Sequence, residues 1–186
     1  MTKLIILDRD GVINQDSDAY IKSADEWLPI PGSIEAIARL SAAGYSVVVA
    51  TNQSGLGRGL FDLDDLEAIH DKMRELVEAA GGHIAGIYYC PHLPTAGCAC
   101  RKPAPGLLDA IAQDFSTSLA GVVFIGDSLK DLQAGVERQC RPMLVRTGKG
   151  AGYESQLPDE VNEQVRNAQA HNDLASAVDN LLDERN

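Results

Sequence analysis

The chain reads as an α/β fold: a doubly wound, mostly parallel sheet with no separate cap domain. Three features of the sequence predict it. Short apolar runs alternate with helical patterns, three of those runs end abruptly in a reactive side chain, and the two longest connections are rich in Gly, Pro, Cys and Arg. Strands that alternate with helices imply crossover units and parallel pairing. In an open sheet of that kind ligands gather outside the carboxyl ends of the strands. The 186 residues, 45% hydrophobic and 23% charged, suit one domain over 1–186 with a single core.

The first run, Leu4 to Leu7, is too short for a helix and opens directly into Asp8-Arg9-Asp10-Gly11, the pattern of a buried strand feeding a loop. Further strands are expected at Tyr45 to Ala50, which ends at Thr51, at Ile84 to Tyr89, at Val122 to Ile125, which ends at Gly126-Asp127, and at Pro142 to Val145. Between them fall helical patterns. Ile34, Ile37, Ala38 and Ser41 precede Gly44; Leu66, Ile69, Met73, Leu76 and Val77 follow an Asp62 cap; Leu107, Leu108, Ile111, Ala112 and Phe115 follow Pro105. Residues 147–173 are polar and weakly patterned, and a last amphipathic helix with Leu174, Val178, Leu181 and Leu182 is expected to dock on the body. The connections at 52–61 and 90–104 are long enough to be functional or metal-braced loops. Trp27 is expected to pack under the first loop.

Composition excludes some partners. A net charge of -11 repels nucleic acid and also anionic metabolites, so a phosphate site must supply its own local cations. The apolar stretch near the N-terminus is far too short to be a signal peptide or to span a bilayer, which predicts a cytoplasmic protein with no membrane partner. No amphipathic element is left unassigned, so a monomer is expected.

The three strand ends bring Asp8, Thr51 and Asp127 together. A carboxylate is a competent nucleophile toward phosphorus when a divalent ion relieves the repulsion between the two anions. Asp8 and Asp127 have the chemistry to share that ion, and hard oxygen ligands select Mg2+. Asp10, two positions on, would point to the same side in extended backbone and could serve as general acid and then base. Lys102 in Arg101-Lys102-Pro103 could neutralise charge on the transferring group while Thr51 donates a hydroxyl to it.

In order, Asp8-Arg9-Asp10-Gly11, Thr51-Asn52-Gln53, Arg101-Lys102-Pro103 and Gly126-Asp127-Ser128-Leu129-Lys130-Asp131 resemble the four motifs of the haloacid dehalogenase superfamily, over about residues 3–150. The resemblance implies a haloacid dehalogenase-like Rossmannoid fold and a phosphatase that forms an aspartyl-phosphate on Asp8. It implies that Asp10 is the acid/base and that magnesium is held by Asp8, the backbone carbonyl of Asp10 and Asp127. Asp131 would support the ion or Lys102.

Cys90, His92, Cys98 and Cys100 offer three thiolates and one imidazole, the ligand set of a closed tetrahedral zinc site. In a reducing compartment such a cluster argues for metal rather than disulfides. Structural Zn2+ there would brace loop 90–100, which presents Arg101 and Lys102. Cys140 stands apart as a plain buried thiol. The C-x-H and C-x-C pairs just before Arg-Lys-Pro are similar to an insert of the D-glycero-D-manno-heptose 1,7-bisphosphate 7-phosphatases and of the histidinol phosphatases, with a spacer of five residues here.

No cap fits in the intervals between motifs, so selectivity must come from small loops. Asp16 to Tyr20, Asn52, Gln53, Ser54 and Arg58, and Arg101 could bind a sugar with several hydroxyls and a second phosphate, the guanidinium holding an oxyanion in bidentate fashion. Lys149 is a further candidate for the distal phosphate. His70, beside the apolar stripe of its helix, reads as structural or solvated. The resemblance implies removal of the 7-phosphate from a heptose bisphosphate in lipopolysaccharide-core precursor synthesis. Histidinol phosphate is the alternative substrate, and a zinc-braced module that binds phosphorylated ligands without turnover is the alternative of another class.

Overall fold

Strand β1 (Lys3–Leu7) sends Ile5 and Leu7 to one face and Leu4 and Ile6 to the other, the period-two alternation of a strand buried on both sides. It sits in the middle of the sheet in this computed structural model, which describes residues 3–155 and 162–184. The remaining strands are β2 (Tyr45–Asn52), β3 (Ile84–Cys90), β4 (Val123–Gly126), β5 (Arg141–Val145) and β6 (Gln169–His171), and the order across the sheet is β3-β2-β1-β4-β5-β6. Every pairing is parallel. The order reverses between β1 and β4, which opens the crevice just beyond their carboxyl ends.

Both faces are covered. Ile34, Ile37 and Leu40 of α1 (Ser33–Ala42), Ile69, Met73 and Val77 of α3 (Leu63–Ala79), and Leu174, Val178 and Leu181 of α8 (Leu174–Asp183) close over Ile5, Leu7, Val47, Val49 and Ile125. On the opposite face, Leu107, Leu108 and Ile111 of α4 (Gly106–Asp114) and Ala134 of α5 (Leu129–Glu137) meet Leu4, Ile6, Val48, Ala50 and Phe124. The caps are local and readable. Asp62 with Asp65 and Asp173 with Ser176 each satisfy backbone N–H groups at both ends of a capping box. Among the described residues no separate cap is evident. Trp27 is fully buried, and Lys72 of α3 donates to the carbonyls of Ala24 and Trp27 at 2.6 and 2.8 Å, so the first loop is tied down as expected.

Five strands stand where the apolar runs place them, with β1 and β5 starting one residue earlier and β4 one residue later. The sixth was not expected. Gln169–His171 is short and polar, yet it pairs with Met143, Leu144 and Val145, whose backbone would otherwise form an open edge. The segment 147–173 also contains α6 (Gly150–Ser155) and α7 (Glu163–Arg166), and Val165 of α7 packs on Leu132 and Leu144. Residues 156–161 of that segment lie outside the described residues. A single turn, α2 (Ser54–Gly57), follows β2.

Candidate active site

Asp8 follows β1 and its N–H continues the β1–β4 ladder to the Ile125 carbonyl at 2.9 Å, so the sheet itself fixes the position of the expected nucleophile. Its carboxylate accepts from the Arg9 N–H at 2.8 Å and pairs with the Lys102 ammonium at 3.0 Å. Lys102, 2% exposed, also donates to the Ala50 carbonyl at 2.7 Å and to Asp131 at 2.6 Å. An ammonium has three donors and all are engaged. Burial works against its charge, but the Asp131 and Asp8 carboxylates outweigh it and raise the pKa. The second interaction is part of a cap, because Asp131 accepts from the Ser128 N–H at the start of α5.

Asp127 directly follows β4 and lies between two glycines. A Cβ on Gly11 or on Gly148, both at positive φ, would fall 2.1 Å from Asp127 Oδ2, so only glycine lets both backbones close on that carboxylate. Lys149 donates its N–H to the same oxygen at 2.9 Å, and the Thr147 hydroxyl donates to the Gly11 carbonyl at 2.7 Å.

Asp8, Asp127 and Asp131 carry ligand oxygens within 4.8 Å of one another. Their charges are mutually unfavourable. Burial and then the Asp131 charge push Asp8 well above the ordinary carboxylate range and raise Asp127 to about 7. One ammonium against three buried carboxylates leaves an excess of negative charge on hard oxygens, which fits a small divalent cation such as magnesium.

Asp10 is held differently. The Arg9 guanidinium donates to its Oδ1 from Nε at 3.1 Å and from Nη2 at 3.0 Å, and the amides of Asn14 and Gln53 each donate at 2.9 Å. Burial alone would raise its pKa, but Arg9 and these amides prevail and lower it. Gln53 also donates to the Thr51 hydroxyl at 2.9 Å, which joins the two strand-end residues.

Asn52 has its amide engaged with main chain. It donates to the Lys102 carbonyl and accepts from the Lys102 N–H, both at 3.0 Å, and so clamps the Arg-Lys-Pro segment to the end of β2.

Asp8, Asp10, Thr51, Asn52, Gln53, Lys102, Asp127 and Asp131 line one polar cavity of about 260 Å³, together with Asp16, Tyr20, Ser54, Arg101, Lys130, Lys149 and Tyr153. Arg101, Lys102, Lys130 and Lys149 supply the local cations that an acidic chain needs around a phosphate. Lys149 pairs with Asp16 at 3.5 Å across the mouth. Arg58 is the exception among the expected contacts: it is exposed, does not line the cavity, and lies over the Tyr20 ring at 5.9 Å. Arg9, Asn14, Lys149 N–H and Tyr153 belong to the site without having been singled out for these roles. The one signal for the Lys149 contact was the Thr147-Gly148-Lys149-Gly150 run, in which glycines flank a cation.

Beside the cavity Cys90, His92, Cys98 and Cys100 converge as the spacing anticipates. Cys90 ends β3 in the core, and the other three come from the loop. Five of the six ligand separations run from 3.1 to 3.7 Å. A zinc ion with bonds of about 2.3 Å places tetrahedral sulfur ligands about 3.8 Å apart, so the cluster could hold one.

The chain matches the haloacid dehalogenase-like hydrolase family over residues 2–137 and a HAD-hydrolase-like family over 99–177. It belongs to the haloacid dehalogenase-like hydrolases. Among these it is 53% identical over 184 residues, 98% of this chain and 99% of the relative, to a D-glycero-beta-D-manno-heptose-1,7-bisphosphate 7-phosphatase of Bordetella bronchiseptica. A protein of the same name from Pseudomonas aeruginosa is 60% identical over 147 residues, 79% of this chain and 83% of that one. The crystal structure of the D,D-heptose 1,7-bisphosphate phosphatase from B. bronchiseptica, complexed with magnesium and phosphate, superposes with a TM-score of 0.92 over 98% of this chain and 99% of that one at 53% identity. The corresponding enzyme from Burkholderia thailandensis gives a TM-score of 0.75 over 97% of this chain and 98% of that one at 43% identity. This hydrolase is therefore a phosphatase of the same fold as those enzymes.

Proposed function

We propose that the chain removes the 7-phosphate of D-glycero-β-D-manno-heptose 1,7-bisphosphate through an aspartyl-phosphate. The observation that carries this is near-full-length similarity to proteins of that name in a chain whose Asp8, Asp10, Lys102 and Asp127 face one cation-rimmed cavity.

The Asp8 carboxylate attacks phosphorus, the bond from phosphorus to the C7 oxygen breaks, and Asp10 gives that oxygen its proton. Water then attacks the aspartyl-phosphate, Asp10 takes back a proton, and inorganic phosphate leaves with Asp8 restored. Lys102 and the Thr51 hydroxyl oppose charge on the transferring group. Asp8, Asp127 and the Asp10 carbonyl would hold magnesium, with Asp131 in support, and the ion when bound supplies the positive charge that lets two anions meet. Zinc held by Cys90, His92, Cys98 and Cys100 would brace the loop. Arg101, Lys130 and Lys149 suit the distal phosphate, and Asp16 and Gln53 suit sugar hydroxyls. Arg58 enters this reading only through Tyr20, and Asn52, which lines the cavity, also through its hold on Lys102.

The reaction belongs to ADP-heptose precursor synthesis, in a cytoplasmic monomer; among the described residues no helix is long and apolar enough to cross a membrane. The test is phosphate release with magnesium, comparing the heptose bisphosphate with histidinol phosphate and using Asp8→Asn as the blank. Preference for the bisphosphate, with turnover reduced at least about 10⁴-fold in the variant, is the expected result. Preference for histidinol phosphate would overturn the substrate, and an active Asp8→Asn would overturn the covalent mechanism.

A further inference from the structure

Arg9 lies between the two aspartates of the first motif, yet it turns away from the cavity and is 0% exposed. A guanidinium is costly to bury unless its donors find partners. One edge of the fork faces Asp10, with Nε and Nη2 at 3.1 and 3.0 Å from Oδ1 and Nη2 at 3.2 Å from Oδ2. The other edge faces His70, where Nη1 is 3.2 Å from Nε2. Arginine has donors and no acceptor, so Nε2 must be the acceptor and the ring proton must sit on Nδ1. His70 is 1% exposed and belongs to the buried stripe of α3. A protonated ring would set two cations and two donors against each other. Burial, with Arg9 and Arg74 adding to it, holds the pKa down to about 3.

The geometry points to His70 as a positioning residue for Asp10, acting through Arg9: the neutral ring fixes the guanidinium, and the guanidinium fixes the carboxylate that serves the leaving oxygen. Without an acceptor at Nε2 the Nη1 edge is stranded in the interior, and rotation about the end of the Arg9 side chain loses its stop. Asn14 and Gln53 still donate to Asp10, so what is lost is orientation rather than the group itself. This inference rests on the assignment of Asp10 as the acid/base.

The test uses leaving groups. With a covalent intermediate, kcat/KM reports only steps through formation of the aspartyl-phosphate. A sugar alkoxide needs a proton as it leaves, whereas p-nitrophenolate does not. His70→Leu is expected to lower kcat/KM for heptose 1,7-bisphosphate by about 10- to 100-fold, the scale of a small misplacement, while p-nitrophenyl phosphate changes less than about threefold. His70→Gln, whose carbonyl oxygen reaches the Nε2 position, should restore most of the loss. Should the leucine variant not fold, His70→Asn keeps the polarity but places its amide at the Nδ1 position, and it must show the same split. Equal losses on both substrates, no loss on either, or a folded His70→Gln that fails to recover would each overturn the inference. A wild type inactive on both substrates would overturn the phosphatase reading and this inference with it. An active wild type with equal losses would overturn this inference alone.

Discussion

The two candidate metal clusters are built in opposite ways. Asp8 is distant in sequence from Asp127 and Asp131, and the three are brought together by the ends of β1 and β4 and the first turn of α5. All three are buried, and a protein cation, Lys102, already sits among them. Cys90, His92, Cys98 and Cys100 come from one stretch of chain, and only Cys90 is anchored in a strand. The fold therefore sets the geometry of the first cluster, whereas the second rests on a loop that a bound ion would brace. The two meet at Lys102, which belongs to the carboxylate cluster by its ammonium and to the thiolate loop by its backbone.

The sharpest break in this contrast is expected from Lys102→Met. It leaves Asp8 and Asp131 buried without their counter-charge. We expect kcat/KM to fall by about 10²- to 10³-fold, the scale for removing one charge-stabilising donor. Urea unfolding without magnesium should show a loss of about 3–5 kcal/mol, because breaking a buried pair strands its partners. A variant as stable as wild type would mean that the carboxylates are not held against each other by the fold.

Cys100→Ser probes the other cluster. Bound zinc, measured by metal analysis, should be lost. Turnover should fall on the order of 10- to 100-fold as the loop loosens its hold on Lys102, while the far-ultraviolet circular dichroism of the sheet and helices stays the same. Full turnover in a zinc-free variant would show that Asn52 and the ammonium's own partners position Lys102 without the metal loop.

The smallest effect lies outside both clusters and serves as a baseline. His70 is held near pKa 3 by burial and by Arg9 and Arg74, with Asp10 opposing, against an ordinary value of 6.5. As pH falls below about 6.5 the unfolded chain takes up a proton that the folded chain refuses, so this contribution to stability is present above that value and is lost toward about 3, at up to about 1.4 kcal/mol per pH unit. Urea midpoints measured from neutral to mildly acid pH should fall more steeply for wild type than for His70→Gln. Parallel slopes would remove His70 from the acid response.

Much of this was legible in the chain because strands buried on both sides have few ways to be written. The apolar runs that end at Asp8, Thr51 and Asp127 gave the sheet and three corners of the cavity, and the C-x-H and C-x-C pairs gave the second cluster. Other features were hidden for physical reasons. β6 forms because β5 offers an open edge, and nothing in Gln169–His171 announces it. Arg9 sits in a loop motif where a charged side chain normally reads as solvated, and its burial follows from Asp10 beside it and His70 on α3. His70 could have been found, since with Leu66, Ile69, Met73 and Val77 it occupies the buried positions of α3. The clamp of Asn52 on the Lys102 main chain was hidden because its partner lies fifty residues away in sequence.

That reciprocal amide clamp has a consequence for which parts of the loop can vary. Lys102 is fastened to β2, and the cysteines and histidine converge beside it, so the five residues Leu93 to Gly97 form an outer turn between His92 and Cys98. They can be lengthened, shortened or exchanged without moving the ammonium that faces Asp8. The outer turn of the loop is thereby a replaceable part, and the reacting centre is not.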